Sequence, residues 1–485
     1  MPRTTLTLPP DELRRLGYRA VDAIADRLAA LPDAPVGEPA TRAEMEARLR
    51  EPLPEHGRDP HDVLELALRD VLAPGLRVDH PRFFGYVPGP GNPVGAVAAA
   101  LTAGFATFAG AWYAAPGAAM VELVVLDWLR SLCGLPAGTE GLFLGGGSLA
   151  NLTALAVALQ ERAGIERPRA TVYLSDEAHS SVRRALDVVG VDPRHVRVLA
   201  ADVDGRLVAG ELAAAVESDR AAGRLPACVV ATAGTTGTGA VDPLVALRSV
   251  CDEHGLWLHV DGAYGAAAVL CDAGRAALAG VELADSLTLD PHKWLFQPAE
   301  AGCLLVRDGA ALERTFSVAP AYLRDALGQD GEVKFADRGP QLTRQFRALK
   351  LWMSLKVFGA QAFRTAIADG LALAEHAEAI VTEDPRWELV TPAQLGIVTF
   401  RPAVPHADAA CARLPALALA DGFAYATTTH TRGMTALRLC TINPRTTRED
   451  VERTLDRLAE LVPCSDDELP RHRTRRAGLD HAPAR

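Results

Sequence analysis

The spacing of hydrophobic positions changes along the chain, and each change marks a different kind of element. In residues 11–31 (DELRRLGYRAVDAIADRLAAL), Leu13, Leu16, Ala20, Ile24, Leu28 and Leu31 recur at helical spacing. That stripe predicts one amphipathic helix, with Asp11 as its N-cap after a pair of prolines. A stretch rich in Pro and charge over 32–60 reads as a linker, and a second helical piece follows over 61–73. These helices have apolar faces but too little mass for a domain. They must pack on the main body or on a second subunit.

From about residue 80 to 310 the pattern is different. Nearly continuous apolar runs at Ala170–Ser175, Val196–Ala200, Cys228–Ala233, Leu256–Val260 and Ser286–Leu289 alternate with Ala/Leu-rich helical stretches. Runs of that composition suit strands buried on both faces. Their alternation with helices predicts an α/β domain on a mostly parallel sheet. Residues 340–380 read as helix. LGIVTF (395–400) and ALRLCTI (436–442) then read as strands of a smaller α+β unit over about 385–462. A helix from Thr447 closes it, its start signalled by Asp450 and Glu452. The tail over 465–485 has few apolar residues and reads as disordered.

Composition narrows the class. At 485 residues the chain suits two or three domains, and 49% apolar residues allow a large core. A net charge of −11 argues against nucleic acid as the main partner. The cysteines at 133, 228, 251, 271, 303, 411, 440 and 464 form no C-x-x-C pair. They read as buried thiols in a reducing compartment, not as a disulfide frame or zinc site. The start MPRTTLTLPPDEL has no apolar h-region, and apolar stretches break well short of a membrane span. A cytoplasmic protein without membrane contact is expected.

In parallel sheets ligands bind at the carboxyl ends of the strands. The run 170–175 is followed by Asp176-Glu177-Ala178-His179-Ser180-Ser181, and 228–233 by Gly234-Thr235-Thr236-Gly237. The run 256–260 is followed by Asp261-Gly262-Ala263-Tyr264, and 286–289 by Asp290-Pro291-His292-Lys293-Trp294. A further strand-like GLFL is followed by Gly145-Gly146-Gly147-Ser148 and a helix carrying Asn151. A glycine loop opening a helix suits an anion, because backbone N–H groups and the helix dipole converge there. Lys293 follows one apolar run and precedes Trp294, Leu295 and Phe296; a lysine so enclosed must be paired, neutralised or used covalently. A metal reading competes: His259 and Asp261 share a strand face, and His179 would be a third ligand. That reading leaves Lys293 and the glycine loop without a role, and no metal is expected.

Lys293 within DPHKW, Asp261 within HVDGAYG and His179 within SDEAHSS resemble, in that order, the group II pyridoxal-phosphate (PLP) dependent amino-acid decarboxylases. That family includes the aromatic-L-amino-acid, histidine and glutamate decarboxylases. The resemblance extends to GYRAVDAIADRL in the first helix, HPRFFGY at 80–86, EL…DWL at 122–129 and FRALKLW at 346–352. It implies the fold-type-I PLP fold with a mostly parallel seven-stranded sheet. It divides the chain into an N-terminal helical dimerisation segment (1–79), a large PLP-binding domain (80–365) and a small C-terminal domain (366–464). It also implies a homodimer with the active site at the subunit boundary.

The roles come with the resemblance. Lys293 would form the internal Schiff base with pyridoxal 5'-phosphate, Asp261 would keep the ring nitrogen protonated, and His179 would stack on the ring. Gly147, Ser148 and His292 would serve the phosphate end, with Ser181, Thr236, Ala263 and Asp290 as further cofactor contacts. Tyr322, in a loop over 318–334 read as a lid, would return a proton to Cα. Tyr86, Val87 and Trp112 match the region lining the substrate side-chain pocket. The chain departs from the animal aromatic enzymes at Asp290 (usually Asn), Leu149 (often Glu), Val87 (usually Phe) and Arg338-Gly339 (a Trp-Gln pair). These changes leave the cofactor chemistry intact and bear on the substrate. An aromatic amino acid is favoured, with aliphatic or acidic substrates, an oxidative aldehyde-forming reaction, and a non-catalytic binding protein of this fold as alternatives.

Overall fold

The computed structural model describes residues 6–317 and 331–463. Tyr322, most of the 318–334 stretch and the 465–485 tail lie outside the described residues.

Helix α1 spans Pro10–Ala30 and begins on a proline, whose missing N–H costs nothing at a helix start. The expected Asp11 cap is therefore a first-turn residue instead, and its carboxylate accepts from Arg14 at 2.6 Å. The stretch read as a linker holds a helix, α2 (Arg42–Leu49), with a reciprocal capping box between Thr41 and Glu44. The signal is T-x-x-E, present in TRAE but without an apolar stripe behind it. Helix α3 (Pro60–Leu66) continues into a π-helical turn at Ala67–Leu72. A short antiparallel ribbon, β1 (Gly37–Glu38) with β2 (Gly75–Leu76), ties the region together. No residue of α1 is buried: Leu13, Tyr18, Val21 and Ile24 are all exposed.

Helices α4 (Pro93–Gly104) and α5 (Pro116–Leu132) lead into the main sheet. Its strands are β3 (Glu140–Leu144), β4 (Ala170–Ser175), β5 (Val196–Leu199), β6 (Leu225–Thr232), β7 (Trp257–Asp261), β8 (Ser286–Leu289) and β9 (Gly302–Val306). They lie in the order β3-β9-β8-β7-β6-β4-β5. Only β9 runs antiparallel to its neighbours, so β3, β4, β6, β7 and β8 all end on one edge. Register carries this alignment down to single residues: Thr232 pairs with Asp261, and Asp261 with Thr288. Cys228, Val229, Val230 and Ala231 are each fully buried, so both faces of β6 are covered. Helices α6 (Gly147–Ala163), α7 (Ser180–Val188), α8 (Ala209–Ala221) and α9 (Leu244–His254) link the strands, with shorter α10 (Asp272–Ala277) and α11 (Ala310–Phe316).

The helix expected over 340–380 is α12 (Ala348–Glu383), broken at Gly359, whose φ of +76° no other residue adopts cheaply. The expected domain boundary at 365 falls inside this helix. The C-terminal unit is an antiparallel sheet in the order β10-β11-β13-β12: β10 (Trp387–Gln394), β11 (Ile397–Pro402), β12 (Thr427–Thr431) and β13 (Met434–Cys440). Helices α13 (Ala407–Asp421) and α14 (Arg448–Glu460) complete it. The expected start at Thr447 is a full capping box with Asp450. Of the cysteines, 133, 228, 251, 303, 411 and 440 are buried free thiols, and Cys271 is partly buried.

Residues 340–347 are not helical because buried polar contacts hold them. Arg344 and Glu122 of α5 form an ion pair in which neither side chain is exposed. Arg344 also donates to the carbonyls of Ala109 (2.7 Å) and Phe143 (2.8 Å), while Glu122 accepts the Phe143 N–H at 2.8 Å. One ion pair therefore fixes the end of β3, and with it the glycine loop that follows. Arg344→Met should leave Glu122 charged and uncompensated, at a cost of about 3–5 kcal/mol. Urea denaturation should register this as a large fall in midpoint, part of which Glu122→Gln added to Arg344→Met restores.

Candidate active site

Where the parallel strands end, their following residues enclose a cavity of about 510 Å3. Gly147, Ser148, His179, Ser181, Thr236, Asp261, Ala263, Asp290, His292 and Lys293 all line it. Every expected cofactor contact is therefore brought together. Tyr86, Val87 and Trp112 are not in the lining. Tyr86 is exposed, with its ring 6.2 Å from that of Tyr425 and its carbonyl held by Arg438 Nη1 at 2.6 Å. Val87 packs partly buried against the main core, and the Trp112 N–H donates to the Val333 carbonyl.

The glycine loop is shaped by what surrounds it. Gly146 has φ +140° and brings α6 to its start without any side-chain cap. A Cβ on Gly147 would stand 2.9 Å from Asp290 Oδ2 and 3.0 Å from the Ala263 Cβ. Asp290 Oδ2 accepts the Gly147 N–H at 2.9 Å and lies 3.2 Å from Lys293 Nζ. Asp290 Oδ1 is buried without a hydrogen bond. The carboxylate thus stands between the lysine and the helix N-terminus, where its charge is favourable.

Asp261, at the end of β7, is buried; its Oδ1 accepts the Ala263 N–H at 3.1 Å and its Oδ2 accepts from Asn151 Nδ2 at 2.8 Å. His179 is the N-cap of α7 and accepts the Ser181 N–H through Nδ1. Burial pushes its pKa below the ordinary histidine value, against the pull of Asp261. His259 is fully buried on β7, and desolvation lowers its pKa to about 4. Its Nδ1 lies 2.8 Å from Ser286 Oγ and its Nε2 3.1 Å from Asn151 Oδ1. Both ring nitrogens are engaged, so the metal reading at His259 and Asp261 loses its first ligand.

Sequence reasoning left some lining residues out. Asn151, one turn into α6, was visible beside the loop but had no assigned role. Glu300 and Gln341 line the cavity from far along the chain, with no local pattern to reveal them. Tyr264 also lines it, and stacks on Trp294 with ring centroids 5.6 Å apart.

A lysine, a buried carboxylate, a histidine and an uncapped helix N-terminus at the strand ends fit pyridoxal phosphate: an amine for its aldehyde, an anion for its ring nitrogen, donors for its phosphate. Fold and site together define a PLP enzyme of fold type I. Residues 43–403 match the pyridoxal-dependent decarboxylase conserved domain, and the chain belongs to that family. It is 44% identical to an aromatic-L-amino-acid decarboxylase of Bacillus atrophaeus, over 94% of this chain and 97% of that one. It is 34% identical to a phenylacetaldehyde synthase of Petunia hybrida, over 82% of this chain and 81% of that one. The Oryza sativa TDC solved with PLP and tryptamine superposes with a TM-score of 0.89 at 28% identity, over 95% of this chain and 99% of that one. The protein is a PLP-dependent carboxy-lyase, an amino-acid decarboxylase. No described helix is long and apolar enough to cross a membrane.

Gly147→Ala should crowd Asp290 and Ala263. Overpacking of this kind costs about 1–3 kcal/mol and is present without cofactor, so the thermal midpoint of the apoprotein should fall, and PLP affinity should fall roughly tenfold as the loop is displaced. A melting curve measures the first, and fluorescence titration of the apoprotein with PLP the second.

Proposed function

We propose that the chain converts an aromatic L-amino acid to its amine and carbon dioxide, with Lys293 as the residue that carries the cofactor. The observation that supports this most is the meeting of Lys293, Asp290, Asp261 and His179 around one cavity. The aromatic preference is supported by the Bacillus atrophaeus decarboxylase at 44% identity.

Bound pyridoxal phosphate supplies the electron sink that lets the carboxylate leave as carbon dioxide. The chain does the rest. Lys293 Nζ would hold the cofactor through its aldehyde carbon, with Asp290 beside it as the counter-charge. Asp261 keeps a proton on the ring nitrogen, through an ion pair that is stronger in a buried floor than in water. His179, whose pKa burial lowers, would lay its ring against the cofactor. Gly147, Ser148 and the N-terminus of α6 bind the phosphate, with His292 nearby; Ser181, Thr236 and Ala263 make the remaining cofactor contacts. Tyr322 returns a proton to Cα, a role that follows from the family resemblance alone. Tyr86, Val87 and Trp112 contact the substrate side chain from outside the cavity lining.

The working unit is a homodimer, with the site at the subunit boundary. Helix α1 supports this: it buries none of its residues, and its apolar Leu13, Tyr18, Val21 and Ile24 are all exposed. Buried free thiols support a reducing compartment, the cytoplasm. A second reading, oxidative formation of an aldehyde, is favoured by the likeness to the phenylacetaldehyde synthase.

Lys293→Ala should abolish the visible band of covalently held cofactor and lower turnover by several orders of magnitude; retained turnover would rule out the lysine assignment. Mass spectrometry after incubation with phenylalanine, tyrosine, tryptophan and dopa in air should find an amine lighter than its parent by carbon dioxide. Aldehyde with ammonia and peroxide would instead establish the oxidative reaction. In sedimentation velocity the protein should run as a dimer, and Leu13→Glu with Val21→Glu should shift it toward monomer.

A further inference from the structure

The hydrogen bonds beneath the cavity run in one direction. Asp261 Oδ2 is a carboxylate oxygen and can only accept, so the group of Asn151 facing it at 2.8 Å must be the amide NH2. The amide oxygen then faces His259 Nε2 at 3.1 Å, and that nitrogen must carry a hydrogen. A neutral His259 leaves Nδ1 as an acceptor, which takes the hydroxyl hydrogen of Ser286 at 2.8 Å. Ser286 Oγ in turn accepts from the Trp257 indole N–H at 2.8 Å. Donation therefore passes from Trp257 through Ser286, His259 and Asn151 to Asp261, with all of these side chains buried.

The second amide hydrogen of Asn151 has its own destination. Asn151 Nδ2 lies 3.3 Å from Ser181 Oγ, which lies 2.8 Å from His179 Nδ1. Ser181 Oγ accepts from the amide and passes its hydrogen to His179 Nδ1, which also accepts the Ser181 backbone N–H at 3.2 Å. An imidazole nitrogen that accepts twice carries no hydrogen. In neutral His179 the hydrogen is then on Nε2.

We propose that Asn151 is a positioning residue of the cofactor site: one amide hydrogen holds the Asp261 carboxylate in place as an acceptor, and the other orients the Ser181 hydroxyl toward His179 Nδ1, whose acceptor role the Ser181 backbone N–H also sets. This rests on the reading of Asp261 and His179 as cofactor-facing groups and extends it to a residue that need not touch the cofactor itself. Charge-assisted hydrogen bonds from a buried donor are the stronger kind, and a buried acceptor left without one bears the full cost of desolvation. The rest of the relay holds the amide in the one orientation that serves both groups.

The test uses apoprotein titrated with PLP, reading the dissociation constant and the position of the visible band of the bound cofactor, with melting curves alongside. Asn151→Leu should weaken PLP binding roughly tenfold or more and move the band, because the ring-nitrogen partner has lost the hydrogen bond that orients it. A residue of purely structural importance would lower the melting temperature and leave the band where it is. Asn151→Asp keeps the shape and the acceptor toward His259 but turns a second carboxylate on Asp261; it should lose at least as much affinity, and it decides the matter if the Leu variant does not fold. Wild-type affinity and an unmoved band in either folded variant overturn the proposal. Failure of the unmodified protein to take up PLP would overturn the cofactor reading instead, so the two failures are told apart.

Discussion

A carboxylate at the floor of a buried cavity is costly to leave without hydrogen-bond donors, and the strand-end residues are arranged around one, Asp261. Transfer of an unpaired ion out of water costs far more than the stability of a typical domain allows. The molecule answers with geometry: Asp261 sits at a strand end where backbone N–H groups are free, accepts the Ala263 N–H, and receives an amide hydrogen from α6. Those donors come from different elements, so the carboxylate is satisfied only when the sheet, α6 and the turn after β7 are all in register. The parallel order of β4, β6, β7 and β8 is what makes that convergence possible.

The same logic governs the second buried charge pair. Glu122 and Arg344 add little net stability over a well-packed apolar pair, since both pay desolvation. What they contribute is definition. Arg344 reaches the carbonyls of Ala109 and Phe143 as well as Glu122, so it fixes β3, the segment before α5 and the approach to α12 relative to one another. The glycine loop begins directly after β3, and its tolerance is a few tenths of an ångström at Gly147. A polar clamp with fixed directions suits that task better than apolar contacts, which can slide.

The strands of the large sheet were legible in the sequence because they are buried on both faces, and a run such as ACVVAT has no other use. Residues just beyond them were legible as well, since a parallel sheet gives its strand ends a common edge. Helix α2 was missed because its signal is a cap and not an apolar stripe: none of its residues is buried, and the hydrophobic pattern carries no trace of it. Glu300 and Gln341 were missed for another reason. They reach the cavity through long-range packing fixed by buried arginines, and no spacing along the chain encodes that. Asn151 stood in plain view, yet its partners on β7 and at the start of α7 are remote in sequence, so its role needed the fold.

The site is divided between chemistry and choice. The expected cofactor contacts line the cavity from strand ends and helix starts. Tyr86, Val87 and Trp112 stand outside that lining: Tyr86 is exposed with a positive φ, while Val87 and Trp112 pack partly buried against the main core. The departures at Val87 and at Arg338-Gly339 likewise lie outside the cavity lining, so the strand-end residues that line it are untouched by them.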